Sequence, residues 1–177
     1  EDDNLFFGFN ASVFETLKDN YNDEFEYILP ELTVDKNLFS NVNLGNLDLQ
    51  SNYKIHNYDT NKYTNFLTND LNWNYNDINF KSGIKGKLLG NLKNINYETK
   101  NVDTYKDKTT NELFGALGFL TELSMQKNIG GASHFLTPKT LFRYSPGSMR
   151  KDLNAFRLDP IKAFNLNRLE NINNYET

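Results

Sequence analysis

The 177-residue chain has no cysteine, which excludes a disulfide framework and any thiolate metal site. Histidine is nearly absent too: His56 and His134 stand far apart, and neither has a second histidine or a carboxylate at ligand spacing. A zinc site or an imidazole base needs converging partners, so neither is assigned that role. Ser133, Ser145 and Ser148 lack a Gly-x-Ser-x-Gly context, and Gly83, Gly86 and Gly90 precede no helical pattern that would make a phosphate cradle. No run of about 20 apolar residues exists, which excludes a membrane-spanning helix. No catalytic, cofactor-binding or metal-binding residue is assigned.

What the chain does have is a period of two. From Leu47 the odd positions are Leu47, Leu49, Ser51, Tyr53 and Ile55, against Asp48, Gln50, Asn52, Lys54 and His56. After Tyr58-Asp59-Thr60-Asn61 the pattern resumes with Tyr63, Leu67, Leu71, Trp73 and Tyr75 against Lys62, Thr64, Thr68, Asp70, Asn72 and Asn74, with Asn65, Phe66 and Asn69 out of step. A polar break at Asn76-Asp77 reads as the next turn, and Ile78, Phe80, Ile84 and Leu88 follow in alternation with lysines and Asn79. Three consecutive amphipathic strands are predicted.

Their length selects the class. Strands of soluble proteins usually run about five or six residues, and these approach about fifteen, as in outer-membrane barrels whose strands are apolar on one side and polar on the other. The alternative is a large soluble sheet with one wet face. A mean hydropathy of −0.68 does not exclude a barrel, because only alternate residues need to face lipid.

Elsewhere, Leu5 to Leu17 reads as a strand. In Glu24 to Asp35 the phase flips at Pro30, which suggests a bulge or kink at a strand end. A second phase slip separates Ile84 and Leu88 from Ile95, Tyr97 and Thr99, and a bulge near Leu89 within one long strand is preferred to a turn at Gly90-Asn91. Leu113 to Gln126 is another strand, Asn128-Ile129-Gly130-Gly131 a tight turn, and His134 to Pro146 a strand. Connections at 76–77 and 128–131 are short and those at 101–111 and 147–174 long, the alternation that two rims of a membrane barrel produce. The 29 asparagines oppose strand propensity and read as a coding bias. Arg143, Arg150, Lys151, Arg157, Lys162 and Arg168, set among acidic residues, read as a solvated loop of mixed charge. The chain starts without an initiator methionine and stops without a closing strand, so it reads as a piece of a longer protein, residues 1–177 forming part of one barrel domain.

The order of features in Tyr27 to Pro30, and from Asn46 through Trp73 and Gly83 to Tyr97, resembles the barrel domain of the LptD family, the lipopolysaccharide-assembly proteins also called organic solvent tolerance proteins. His134-Phe-Leu-Thr-Pro138 and Leu141-Phe-Arg-Tyr-Ser-Pro146 resemble the paired-proline strand before that family's long irregular loop. Arg157-Leu-Asp-Pro160, Phe164-Asn-Leu-Asn-Arg168 and Asn173-Asn-Tyr-Glu176 resemble the loop's end. The resembling positions are Pro30, Trp73, Gly83, Pro138, Pro146, Arg168 and Glu176, over roughly residues 24–177. The family's usual glycine and aspartate near the arginine are asparagines here.

The resemblance implies a translocon that makes and breaks no bond and needs no cofactor. It would deliver lipopolysaccharide into the outer leaflet of the cell outer membrane, with an LptE-like plug lipoprotein, a periplasmic lipopolysaccharide bridge protein and no nucleic acid as partners. Alternatives are a generic porin or receptor-type barrel and a soluble β-rich adhesin or carbohydrate-binding domain. The fold expected is all-β: a curved, open, antiparallel up-and-down sheet of about seven long strands, a segment of a transmembrane β-barrel. Leu67 and Leu71 should face hydrocarbon, with Thr68 and Asp70 toward the lumen. His56 and His134 fall on the lumen side or a rim, and the loop 147–174 outside the cell, folded toward the lumen.

Overall fold

The structure, a computed structural model, describes residues 4–15, 26–59, 61–103, 105 and 107–146. All regular elements among them are strands: β1 (Leu5–Phe14), β2 (Glu26–Asn41), β3 (Gly45–Asp59), β4 (Lys62–Asn74), β5 (Ile78–Asn79), β6 (Ile84–Lys100), β7 (Thr110–Leu123), β8 (Met125–Ile129), β9 (Ala132–Leu136) and β10 (Lys139–Tyr144). Seven of them form one open antiparallel sheet in the order β1-β2-β3-β4-β6-β7-β10, with β5 paired to β6. This is the predicted count and topology. Closure of the sheet into a barrel is not part of the described structure.

The register explains where the sequence phases shift. In β2, Leu29 and Pro30 stand opposite the single residues Ala11 of β1 and Ile55 of β3, so the pairing slips by one on both flanks. Proline has no N–H for the ladder and is tolerated where a bulge interrupts it. The bulge also absorbs the phase flip, so that Tyr27 before it and Leu32 and Val34 after it share one face. It lies inside β2 and not at a strand end, a correction to the sequence reading.

The bulge expected near Leu89 is absent. β6 pairs with β4 from Lys100 to Leu89 and with β7 from Tyr97 to Ile84 without a register shift. Ile84 and Leu88 therefore lie on one face and Ile95 and Tyr97 on the other. The reason is packing: Ile95 and Tyr97 are covered by Val102 and Tyr105, from the connection that follows β6.

The connections sort by rim. On one rim the chain reverses at 42–44, at 80–83 and at Gly130-Gly131. Asn76-Asp77 is not a turn; the chain runs on through β5 and reverses at 80–83, where Phe80 N–H donates to the Ile84 carbonyl (2.9 Å) and Gly83 N–H to that of Phe80 (3.0 Å). Gly130 and Gly131 both have positive φ, 58° and 83°, as a two-residue primed turn requires. The pairing Met125↔Leu136 continues the register of Glu122↔Lys139, and Leu123 N–H donates to the Pro138 carbonyl between them (3.1 Å). β7–β8 and β9–β10 are thus one long ribbon. The opposite rim carries the 101–109 connection, but also the two-residue reversal between Asp59 and Lys62. The expected alternation of short and long holds on the first rim and is broken on the second by that reversal.

Gly45 is the tightest point of the short-turn rim. Its φ is 80°, and a methyl group there would overlap the Asn74 carbonyl oxygen and approach Tyr75 Cα to 2.7 Å. Gly131, with φ of 83°, has open space around it. Gly131→Ala should cost roughly 1–2 kcal/mol from the left-handed backbone alone. Gly45→Ala should cost clearly more, because backbone must move as well, which equilibrium unfolding of the two variants would compare.

Candidate functional site

Strand alternation gives the sheet two chemically different faces. The polar face carries Asn46, Asp48, Gln50, Asn52, Lys54 and His56 on β3 and Thr64, Phe66, Thr68, Asp70, Asn72 and Asn74 on β4. The other face carries Leu47, Leu49, Tyr53 and Ile55 on β3, Leu67, Leu71 and Trp73 on β4, and Ile84, Leu88 and Leu92 on β6, with Ser51, Asn65 and Asn69 as polar residues among them; Ser51 Oγ donates to Asn69 Oδ1 (2.7 Å). Burial follows the face more than the side-chain type, Phe66 and Ile95 on the polar face being 1% exposed each. Thr64 is 0% exposed and Lys93 1%, while Leu67 is 38%, Leu92 43% and Leu117 59% exposed.

The polar face is held by side-chain pairs that bridge strands. Lys93 Nζ lies 2.9 Å from Asp70 Oδ2, both nearly buried. Asn91 Nδ2 donates to Asn72 Oδ1 (2.8 Å), Asn37 Nδ2 to Asp48 Oδ1 (2.7 Å) and Asn52 Nδ2 to Thr33 Oγ1 (3.0 Å). His56 Nε2 sits 2.5 Å from Glu26 Oε1, and its ring stacks on Tyr58 at 3.8 Å. Toward the 101–109 rim this face turns apolar: Phe66, Ile95, Tyr97, Val102 and Tyr105 form the buried cluster, with Tyr58 and Phe114 packed against it. Tyr105 meets the Phe66 ring edge-on at 5.2 Å.

The apolar face is a band, and the band is inclined to the strands. At the short-turn rim its border is Leu5 on β1, which is level with Leu92 of β6 through Lys36, Leu49 and Leu71. On β6 and β7 it reaches the paired Ile84 and Leu123, where β6 ends, eight residues further along β6. At the other border Val13 of β1 is level with Lys100 through Tyr27, Asn57 and Tyr63, whereas Leu113 of β7 is level with Asn94, six residues away. Five strand-to-strand steps separate β1 from β7. At ~3.3 Å per residue and ~4.8 Å per step, the band inclines by roughly 40 to 50° to the perpendicular of the strands, and it stands roughly 17–25 Å tall. Beyond it β6 becomes Asn94, Asn96, Glu98 and Lys100. Lys36, the cation that β2 places on this face, is paired with Leu49 and stands between Val34 and Phe39.

Among the described residues, the positions that carried the family resemblance do not converge on a site. Pro30 marks the β2 bulge, Gly83 the 80–83 turn and Pro138 the junction of β9 with β10. Trp73 lies on the apolar face against Gly90 and donates Nε1–H to the Leu44 carbonyl (2.8 Å). Pro146 follows Ser145, whose hydroxyl donates to the Gly115 carbonyl (2.6 Å). Arg168 and Glu176, and the loop 147–174, lie outside the described residues. His56 is on the polar face, and His134 is exposed on β9, opposite Lys127.

Two features of the polar face escaped sequence reasoning. The Asp70–Lys93 pair has no local signal, because its members are far apart in sequence. The cluster under Tyr105 did have one: apolar residues changing face in β6 just before a loop that contains Val102 and Tyr105.

No family model, no curated protein and no solved structure matches the chain. Among the described residues no helix is long and apolar enough to cross a membrane, which says nothing about crossing by strands.

Removing one partner of a buried ion pair leaves an uncompensated charge. Lys93→Met in the full-length protein should cost about 3–5 kcal/mol, and the Asp70→Asn, Lys93→Met double variant less than that. Urea unfolding of the three proteins gives the comparison.

Proposed function

We propose that this sheet is part of the wall of a transmembrane β-barrel in the bacterial outer membrane, its apolar face toward lipid and its polar face toward the lumen. The observation that carries the proposal is the inclined apolar band. Barrel strands tilt by about 35–45° in the membrane and present an outward apolar band about 25 Å tall, so a band parallel to the bilayer crosses the strand ladder obliquely. A soluble sheet has no reason to incline its exposed leucines by that angle, or to expose so many of them. Trp73 and Tyr75 at one border and Tyr27 at the other suit the two membrane–water interfaces, where amphipathic rings accumulate. Lys36, level with Leu5 at the start of β1, can extend its ammonium toward the short-turn rim.

Within that class, the resemblance in Tyr27–Pro30, His134–Pro138 and Leu141–Pro146 favours the LptD family and therefore lipopolysaccharide delivery to the outer leaflet. The partners would be lipopolysaccharide, an LptE-like plug within the barrel and a periplasmic bridge protein. No step of this function is chemical. Depletion of the full-length protein should lower surface lipopolysaccharide; unchanged surface lipopolysaccharide with altered solute uptake would indicate a porin instead.

The face assignment is tested by two neighbours on β3. Leu49 is paired with Leu71 in the band, and Gln50 is exposed on the polar face. Arginine on the lipid face near the midplane costs about 2–4 kcal/mol, and in a hydrated lumen much less. Leu49→Arg should therefore impair assembly or unfolding stability in lipid vesicles far more than Gln50→Arg, read by heat-modifiable gel mobility. Equal tolerance would remove the basis of the membrane reading.

A further inference from the structure

The β8–β9 ribbon stands apart from the rest of the sheet. It continues the β7–β10 register past Leu123, where β6 has ended, so its five pairs project about 17 Å beyond the neighbouring strand. Among the described residues β8 and β9 pair only with each other, and all ten residues are exposed. A two-stranded ribbon alone in water is marginal, and this one exposes Met125, Ile129, Phe135 and Leu136.

Its two faces differ. Register places Met125 with Leu136, Lys127 with His134, and Ile129 with Ala132 on the side that continues the apolar face of the sheet. The other side carries Gln126, Asn128, Ser133 and Phe135, and its polar groups satisfy one another: Ser133 Oγ donates to Asn128 Oδ1 at 2.8 Å. The stretch 124–138 contains no carboxylate, and Lys127 is centred in the apolar side. Apolar side chains around a cation, just past the border of a lipid-facing band and on the same side as that band, match the headgroup layer of an anionic phospholipid leaflet, where apolar groups enter the acyl boundary and cations meet phosphate.

We infer that the β8–β9 ribbon is an interfacial anchor that lies on the anionic phospholipid surface at the short-turn rim, with Met125, Ile129 and Leu136 inserted and Lys127 on lipid phosphate. The inference rests on the membrane reading above. Phospholipid, and not a second protein, is the occupant because the anchoring side continues the lipid-facing band without a change of register.

Spin labels at single introduced cysteines separate the two claims. The full-length protein, in a background whose only cysteine is the introduced one, is placed in vesicles of equal parts phosphatidylglycerol and phosphatidylcholine. Labels go at Leu71→Cys in the band, Ile129→Cys on the anchoring side and Asn128→Cys on the other. Collision with oxygen reports lipid, and collision with a water-soluble nickel chelate reports water. The label at 129 should be at least about threefold less accessible to nickel than that at 128 and favour oxygen. Lys127→Glu, or pure phosphatidylcholine, should move it toward water. If 129 is as nickel-accessible as 128 while 71 stays in lipid, the anchor is wrong and the barrel reading stands. If 71 is nickel-accessible as well, the membrane reading falls with it. If 129 is shielded from both reagents, protein covers the ribbon, and the lipid assignment is overturned.

Discussion

The structure depends on the uninterrupted pairing of β3, β4, β6 and β7 over most of their lengths. A slip of one residue in any of these ladders would carry every side chain to the opposite face. Leu49, Leu71 and Leu92 would then stand where Gln50, Asp70 and Lys93 now stand, and the Asp70–Lys93 pair would be exchanged for an apolar contact. The shifts that do occur in the main ladders fall mostly in β2, and the one at Leu29-Pro30 restores the face assignment. Phase changes in a sequence thus have two causes here, a bulge in β2 and a change of covering partner in β6.

That second cause gives the polar face its unequal character. Toward the short-turn rim it is a wet surface, with a groove of about 550 Å³ lined by Phe6, Asp35, Asn37, Asp48, Gln50 and Asn72. Toward the other rim it is dry, because Val102 and Tyr105 fold back onto Phe66, Ile95 and Tyr97. A few aromatic residues therefore supply the hydrophobic packing that the opposite face, half-buried to exposed, does not provide within this sheet.

Most of the fold was legible in the sequence because strand periodicity is a local signal. Leu47 to His56 and Tyr63 to Asn74 specify their strands and faces within about ten residues each, and the Gly130-Gly131 turn is specified by two. What failed were judgements that depend on residues far away. Asn76-Asp77 has turn chemistry, yet β5 keeps pairing to Gly86 and Lys85, and the chain reverses only at 80–83. The phase slip in β6 looked like backbone geometry because the residues that cover Ile95 and Tyr97 come later in the chain. Of the described family-resembling positions, Pro30, Gly83 and Pro138 lie at a bulge, a turn and a junction, whereas Trp73 lies within β4.

The asparagines, read from the sequence as a coding bias, have a mechanical consequence. Ser51 with Asn69, Asn72 with Asn91, Asn52 with Thr33, and Asn96 with Asn111 join neighbouring strands through uncharged amides and hydroxyls. Such groups neither titrate in the physiological range nor lose strength to dissolved salt, as ion pairs do. A sheet cross-linked in this way keeps its strand alignment when acidity and ionic strength change, so its cohesion is buffered against the surroundings that its surface charges would feel.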